Sequence, residues 1–165
     1  MKKGFTMIEL IFVIVILGVL ASVAIPRLAA TRDDAEVAKA ATNLTTAVSD
    51  ITAYYTAKGS FYSYTASGTK GQKITDFTKL TNALTKDGKL NVKGKTTCVE
   101  VTLPDNAANA SSKVELALKF IPNADAVCKQ LVKLPGIKTM CGKGETETLS
   151  GDCKIQIGGS GGIQF

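Results

Sequence analysis

Residues 4–26 read GFTMIELIFVIVILGVLASVAIP, and from Leu10 to Ile25 this stretch carries no charge and one polar side chain, Ser22. As an α-helix those sixteen residues extend about 24 Å, or about 31 Å counted back to Phe5. A bilayer's hydrocarbon core is about 30 Å thick. The stretch can therefore cross a membrane, with Thr6 and Glu9 inside it or at its interface. Lys2 and Lys3 precede it and place the N-terminus on the cytoplasmic side. From Arg27 onward Ala, Thr, Lys, Gly and Asp dominate, so an apolar spike is joined to a water-compatible remainder.

Three readings of the spike compete. A secretory signal peptide would have this basic start and apolar middle, with Ser22-Val23-Ala24 as a small-x-small cleavage site and a secreted globular protein released after it. An ordinary membrane anchor needs only the apolar run. Neither gives Glu9 a task. The third reading takes Met1-Lys2-Lys3-Gly4 and Phe5-Thr6-Met7-Ile8-Glu9-Leu10 together, with the apolar run and Pro26 behind them. This resembles the type IV pilin and pseudopilin family, whose signature is a short basic leader ending in Gly, then Phe-Thr, two apolar residues and Glu. The likeness covers roughly the first 30 residues.

That resemblance implies cleavage by a prepilin peptidase between Gly4 and Phe5, and N-methylation of the new Phe5 amine. It implies a precursor in the bacterial inner membrane that later joins a pilus on the cell surface, a homopolymeric helical filament. It assigns Phe5, Glu9 and Pro26 to assembly. A carboxylate in a membrane helix is costly and wants a cation. Phe5 and Glu9 stand i and i+4, so Glu9 can meet the processed Phe5 amine of its own chain or that of a neighbour. A neighbour's amine would reward correct axial register between parallel helices.

Pro26 removes one helical hydrogen bond and predicts a kink. Helical periodicity then resumes: Ala41, Leu44, Val48, Ile51 and Tyr55 recur at spacings of three and four, with Asp33, Asp34, Glu36, Lys39, Asn43 and Asp50 mainly off that stripe. Lys58-Gly59-Ser60 supplies the stop. One kinked helix from Phe5 to Lys58, about 80 Å by rise per residue, is expected. Gly18, Ala21, Ser22, Ala24, Ala29 and Ala30 are small enough for close helix packing.

Beyond residue 60 the pattern shortens. Phe61 to Tyr64, with Gly68 and Gly71, predicts an aromatic loop, and Ile74 to Thr85 a short helix over Phe77, Leu80 and Leu84. Thr97 to Leu103 and Lys113 to Phe120 alternate as half-buried strands, with a turn over Asp105 to Ser112 between them. Asn123 to Leu134 predicts a helix capped by Asn123 and stopped by Pro135-Gly136. Cys153 to Ile157 is a last strand, followed by a Gly-rich turn and Ile163-Gln164-Phe165. The fold class is α+β, a long helix packed on a small antiparallel head, and the resemblance implies the pilin fold. The expected divisions are a leader at 1–4, a membrane and filament-core helix at 5–26, an amphipathic half at 27–58 and a head at 59–165.

Cys98, Cys128, Cys141 and Cys153 all follow the membrane segment. No CxxC pair is present, so zinc bound by all four is disfavoured. An oxidising exterior favours two disulfides. Of three connectivities, Cys98–Cys128 with Cys141–Cys153 is preferred, because the second bridge closes a short loop around Gly142, Gly144 and Gly151. Its rival is Cys128–Cys153 with Cys98–Cys141.

Enzyme chemistry is not legible. The 165 residues hold no His and no Trp, which excludes His-dependent triads and His-ligated metals. Gly94-Lys95-Thr96 resembles the end of a phosphate loop, but Gly88 leaves five residues between the glycines where four are required. It reads as a polar turn. Asn43-Leu44-Thr45 and Asn109-Ala110-Ser111 are sequons that arise readily by chance. Glu145, Glu147 and Asp152 read as a solvated acidic loop rather than a cation site, and no cofactor or metal is expected. A formal charge of +6, with Lys86, Lys89, Lys93 and Lys95 in one run, suits a soluble face; DNA as a partner has no further support. The reading is a structural subunit for adhesion, twitching motility or DNA uptake, driven by assembly machinery with a separate ATPase. A type II secretion pseudopilin is the alternative. The major pseudopilins usually carry a Trp- and Gly-rich, calcium-binding C-terminal loop, which a chain with four cysteines and no Trp does not match.

Overall fold

The computed structural model describes residues 4–64, 70–105 and 113–158. Expectations for Lys2, Lys3, Gly68, the 106–112 turn with its Asn109 sequon, and residues 159–165 fall outside these ranges. The architecture is α+β and pilin-like: one long helix, then small antiparallel sheets.

Helix α1 runs Met7–Lys58 and contains Pro26 without interruption. Its end is set by Gly59, whose φ of 70° lies in the left-handed region and whose N–H donates to Tyr55 O at 2.7 Å. Contacts divide the chain into two units, Met1–Ala35 and Glu36–Phe165.

In the first unit every large apolar side chain from Phe5 to Leu28 is exposed, from 43% at Ile16 to 87% at Phe5. Each such side chain left in water forgoes about 1.5–3 kcal/mol of burial. The helix contains an 18-residue window of mean hydropathy 2.9, none of it buried, long and apolar enough to cross a membrane. Ser22 fits there because its Oγ donates to Val19 O at 2.7 Å, which satisfies the hydroxyl within the helix.

In the second unit the rest of α1 supplies one wall of the core. Val37, Ala40, Leu44, Ala47 and Ile51 are buried, while Ala41, Val48 and Tyr55 are partly buried on the flank. The inner face is thus rotated from the expected stripe. Ala40 and Ala47 lie at its centre because small side chains let the sheet approach, and a reading weighted toward large residues passes over them.

The main sheet is an antiparallel meander of β1 (Lys89–Val92), β2 (Thr96–Thr102), β3 (Val114–Phe120) and β4 (Asp152–Gly158), in that spatial order. Strand β3 alternates as expected, with Val114, Leu116, Leu118 and Phe120 buried. Strand β2 does not. Leu90 pairs Val99 and Asn91 pairs Thr97, so Cys98 is an extra residue in a bulge, and both Cys98 and Val99 are buried.

Four other expectations are corrected. Residues 74–85 form only a single 3-10 turn, Phe77–Lys79, not a helix. The buried Thr81 hydroxyl donates to Asp50 at 2.8 Å and accepts from Ala83 N, while Phe77 N and Thr85 N donate to Lys86 O and Lys89 O. Those partners draw the backbone out of helical pairing. Tyr62–Tyr64 is a short strand paired with Lys70–Lys73, not a loop. Helix α2 spans Ala126–Leu131 and is capped by Asp125, not Asn123: the Asp125 carboxylate accepts from Val127 N at 2.8 Å. Pro135-Gly136 does not merely end that helix but opens α3, Pro135–Met140, with proline at a first-turn position where its missing N–H costs nothing.

The crossover from β3 to β4 carries α2 and α3 and is held at both ends by disulfides. Cys98 in the bulge joins Cys128 in α2, and Cys141 at the end of α3 joins Cys153 in β4.

Candidate processing and assembly site

The residues singled out at the N-terminus lie on the exposed start of α1. Gly4 and Phe5 precede the helix, and a Cβ built on Gly4 meets no atom within 4 Å. Nothing in the described fold requires glycine there. Gly18 is equally unencumbered.

Glu9 is engaged in a way its sequence neighbours could have announced. Its Oε2 accepts from Thr6 N at 2.8 Å and from the Thr6 hydroxyl at 2.7 Å, while Glu9 N approaches Thr6 Oγ1 at 3.4 Å. With Met7 the first helical residue, Thr6 is the N-cap and Glu9 the third helical position. This is the reciprocal capping box of Thr-x-x-Glu. The sequence reading missed Thr6, although its spacing to Glu9 is the signal for that device. Both bonds use one carboxylate oxygen; Oε1 has no partner among the described residues. The structure does not pair Glu9 with Phe5. In the uncut chain the Phe5 nitrogen is an amide and carries no charge.

Residues 1–25 match the family model described as the prokaryotic N-terminal methylation motif. The chain carries the class III signal of type IV pilins and pseudopilins. No curated protein and no solved structure matches the chain. The pilin-type motif thus contains Gly4, Phe5, Thr6 and Glu9, and ends one residue before Pro26.

Elsewhere the candidates disperse. Lys89 pairs with Glu100 at 3.8 Å and Lys93 with Asp125 at 3.2 Å, so half of the basic run is taken up by ion pairs within the head. The Asp125 carboxyl is held below the usual carboxylate range, first by the Val127 amide and then by Lys93. Gly94-Lys95-Thr96 spans the β1–β2 hairpin turn and the first residue of β2, with positive φ at Lys93 and Gly94. Glu147 faces Lys143 at 3.6 Å, and Glu145 and Asp152 are exposed. Among the described residues no three His, Cys, Asp or Glu converge as a metal would need. Asn43 lies inside α1, next to the fully buried Leu44, which is a poor setting for a glycan.

Proposed function

We propose that this chain is a filament subunit of a type IV pilus, cut after Gly4, methylated at Phe5 and polymerised through α1. The observation that carries the reading is the methylation motif standing at the start of a helix whose large apolar side chains up to Leu28 are all uncovered. Lipid covers it in the precursor; copies of the same helix cover it in a filament. The leader is 1–4 and the filament-core helix 5–26, while 27–58 links that core to the head. Pseudopilins share the motif, so the second reading is a type II secretion pseudopilus. Four cysteines and the absence of Trp favour the pilus.

Within this reading Glu9 has two tasks on two oxygens. Oε2 holds the helix start through Thr6, and Oε1 is open to the methylated Phe5 ammonium of an adjacent subunit. The Thr6 bonds fix the carboxylate's direction, so the second contact loses little side-chain freedom. The test compares sheared filament yield from Glu9→Ala and Thr6→Val, both with normal Gly4 cleavage. Glu9→Ala is expected to abolish filaments and Thr6→Val only to lower their yield. Equal loss from both would reduce Glu9 to a helix cap, and wild-type yield from Glu9→Ala would refute its role in assembly.

A further inference from the structure

Ala41 and Thr45 of α1, with Leu134, Gly136, Thr139 and Met140 in and beside α3, line a groove of about 710 Å³ on the head. The hydroxyls on its walls are both engaged within their own helices. Thr45 Oγ1 donates to Ala41 O at 2.9 Å, and Thr139 Oγ1 to Pro135 O at 3.0 Å. A small-molecule site keeps a few polar groups that orient its ligand. This groove has no uncommitted polar side chain, so it suits an apolar surface.

The helix face beside it is equally free of charge. From Ala40 to Ala57, about five turns, the single charged residue is Asp50, which is half-buried and accepts from Thr81. The exposed positions there include Thr42, Thr45, Thr46 and Ser49. A helix face kept in water ordinarily carries charge, and 21% of this chain is charged. An uncharged exposed face running on from an apolar groove is a surface for another protein.

The chain itself identifies the occupant. Among the described residues every exposed large hydrophobic side chain lies between Phe5 and Leu28. Groove and segment belong to one helix, which cannot fold back on itself, so they meet between copies. Ala41 and Gly136 leave room for a second helix to come close. We propose that the groove between α1 and α3 receives the Leu10–Ile25 segment of a second copy. The head, and not only neighbouring helices, then covers that segment; this rests on the filament reading above.

Gly136 supplies the test. A Cβ built there meets no atom within 4 Å and its φ is not left-handed, so leucine fits the fold while filling the groove. Gly144 is just as unencumbered and lies outside the groove. Gly136→Leu should be cut before Phe5 and melt as the wild type does, yet lower the yield of sheared filaments about tenfold. Gly144→Leu should match wild type in all three. The occupant is read with p-benzoylphenylalanine placed at Thr139, made beside an excess of wild-type chain so that it enters filaments. Irradiation should join it to residues 10–25 of another copy, located by mass spectrometry of the digest. Wild-type yield from Gly136→Leu would overturn the proposal, as would a crosslink to a head surface, to a different protein or to nothing. A wild-type chain that gives no sheared filaments would overturn the filament reading itself, and this proposal with it.

Discussion

Leu44 lies on α1 at zero exposure, at the centre of the core formed with the four-stranded sheet. Truncating it to alanine removes three carbons from a site that rigid strands and two disulfides keep from collapsing. Buried Leu→Ala changes cost about 2.7–5 kcal/mol, the upper part where the site cannot relax. About 3–4 kcal/mol is therefore expected for Leu44→Ala. For a folded unit of this size each kcal/mol moves the melting temperature by about 3–5 °C, giving a fall of about 9–20 °C. Leu17→Ala is the internal control. It is the same chemical change on the same helix, but Leu17 is 58% exposed in the first unit, and its effect on head stability should stay within about 0.5 kcal/mol. The assay is thermal unfolding of the intact chain in detergent, followed by near-ultraviolet circular dichroism of the tyrosines. A Leu44→Ala loss as small as that of Leu17→Ala would refute the claim that the second half of α1 is an integral wall of the head.

Other perturbations follow from the same geometry. Removing the Cys98–Cys128 bridge, which spans 30 residues, should cost about 3.7 kcal/mol by loop entropy, against about 3 for Cys141–Cys153, which spans 12; denaturant midpoints of the paired Cys→Ser variants test that order. Asp125 has its carboxyl pKa depressed in the folded chain, so its stabilising effect is present above the ordinary aspartate range of about pH 4 and is lost as pH falls through the folded value. The denaturation midpoint of Asp125→Ala should thus fall short of wild type at neutral pH and converge with it in acid; a gap constant with pH would contradict the cap. A Cβ on Gly158 would overlap the Tyr55 ring, so Gly158→Ala should destabilise by about 1–3 kcal/mol, read by urea unfolding. Gly4→Ala meets no atom and should leave the melting temperature unchanged while precursor accumulates in the membrane.

The spike is legible as an apolar helix because so long an uncharged run needs an apolar surrounding, with Gly4, Phe5 and Glu9 pointing beyond a signal peptide or a plain anchor, and the strands because their alternation is a direct image of one-sided burial. Cys98 broke that image: a bulge places two successive residues inward, and nothing local in Thr97-Cys98-Val99 announces an extra residue. Ala40 and Ala47 escaped notice for the reason that makes them useful, since close approach needs small side chains. The 74–85 segment has helical spacing, but its fate rests on Thr81 reaching Asp50 from 31 positions away, a contact that only the tertiary fold creates. Thr6 was the opposite case, since Thr-x-x-Glu is a local signal that was overshadowed by the question of what Glu9 does in a membrane.

The decisive measurement is the intact mass, with N-terminal fragmentation, of protein sheared from the cell surface. A chain beginning at Phe5 and bearing one extra methyl group on its amine is the result expected of a pilus subunit. A chain beginning at Ile25 would mean ordinary secretion and contradict the whole reading. The methylated Phe5 form retained entirely in the envelope would contradict the pilus and leave the pseudopilin.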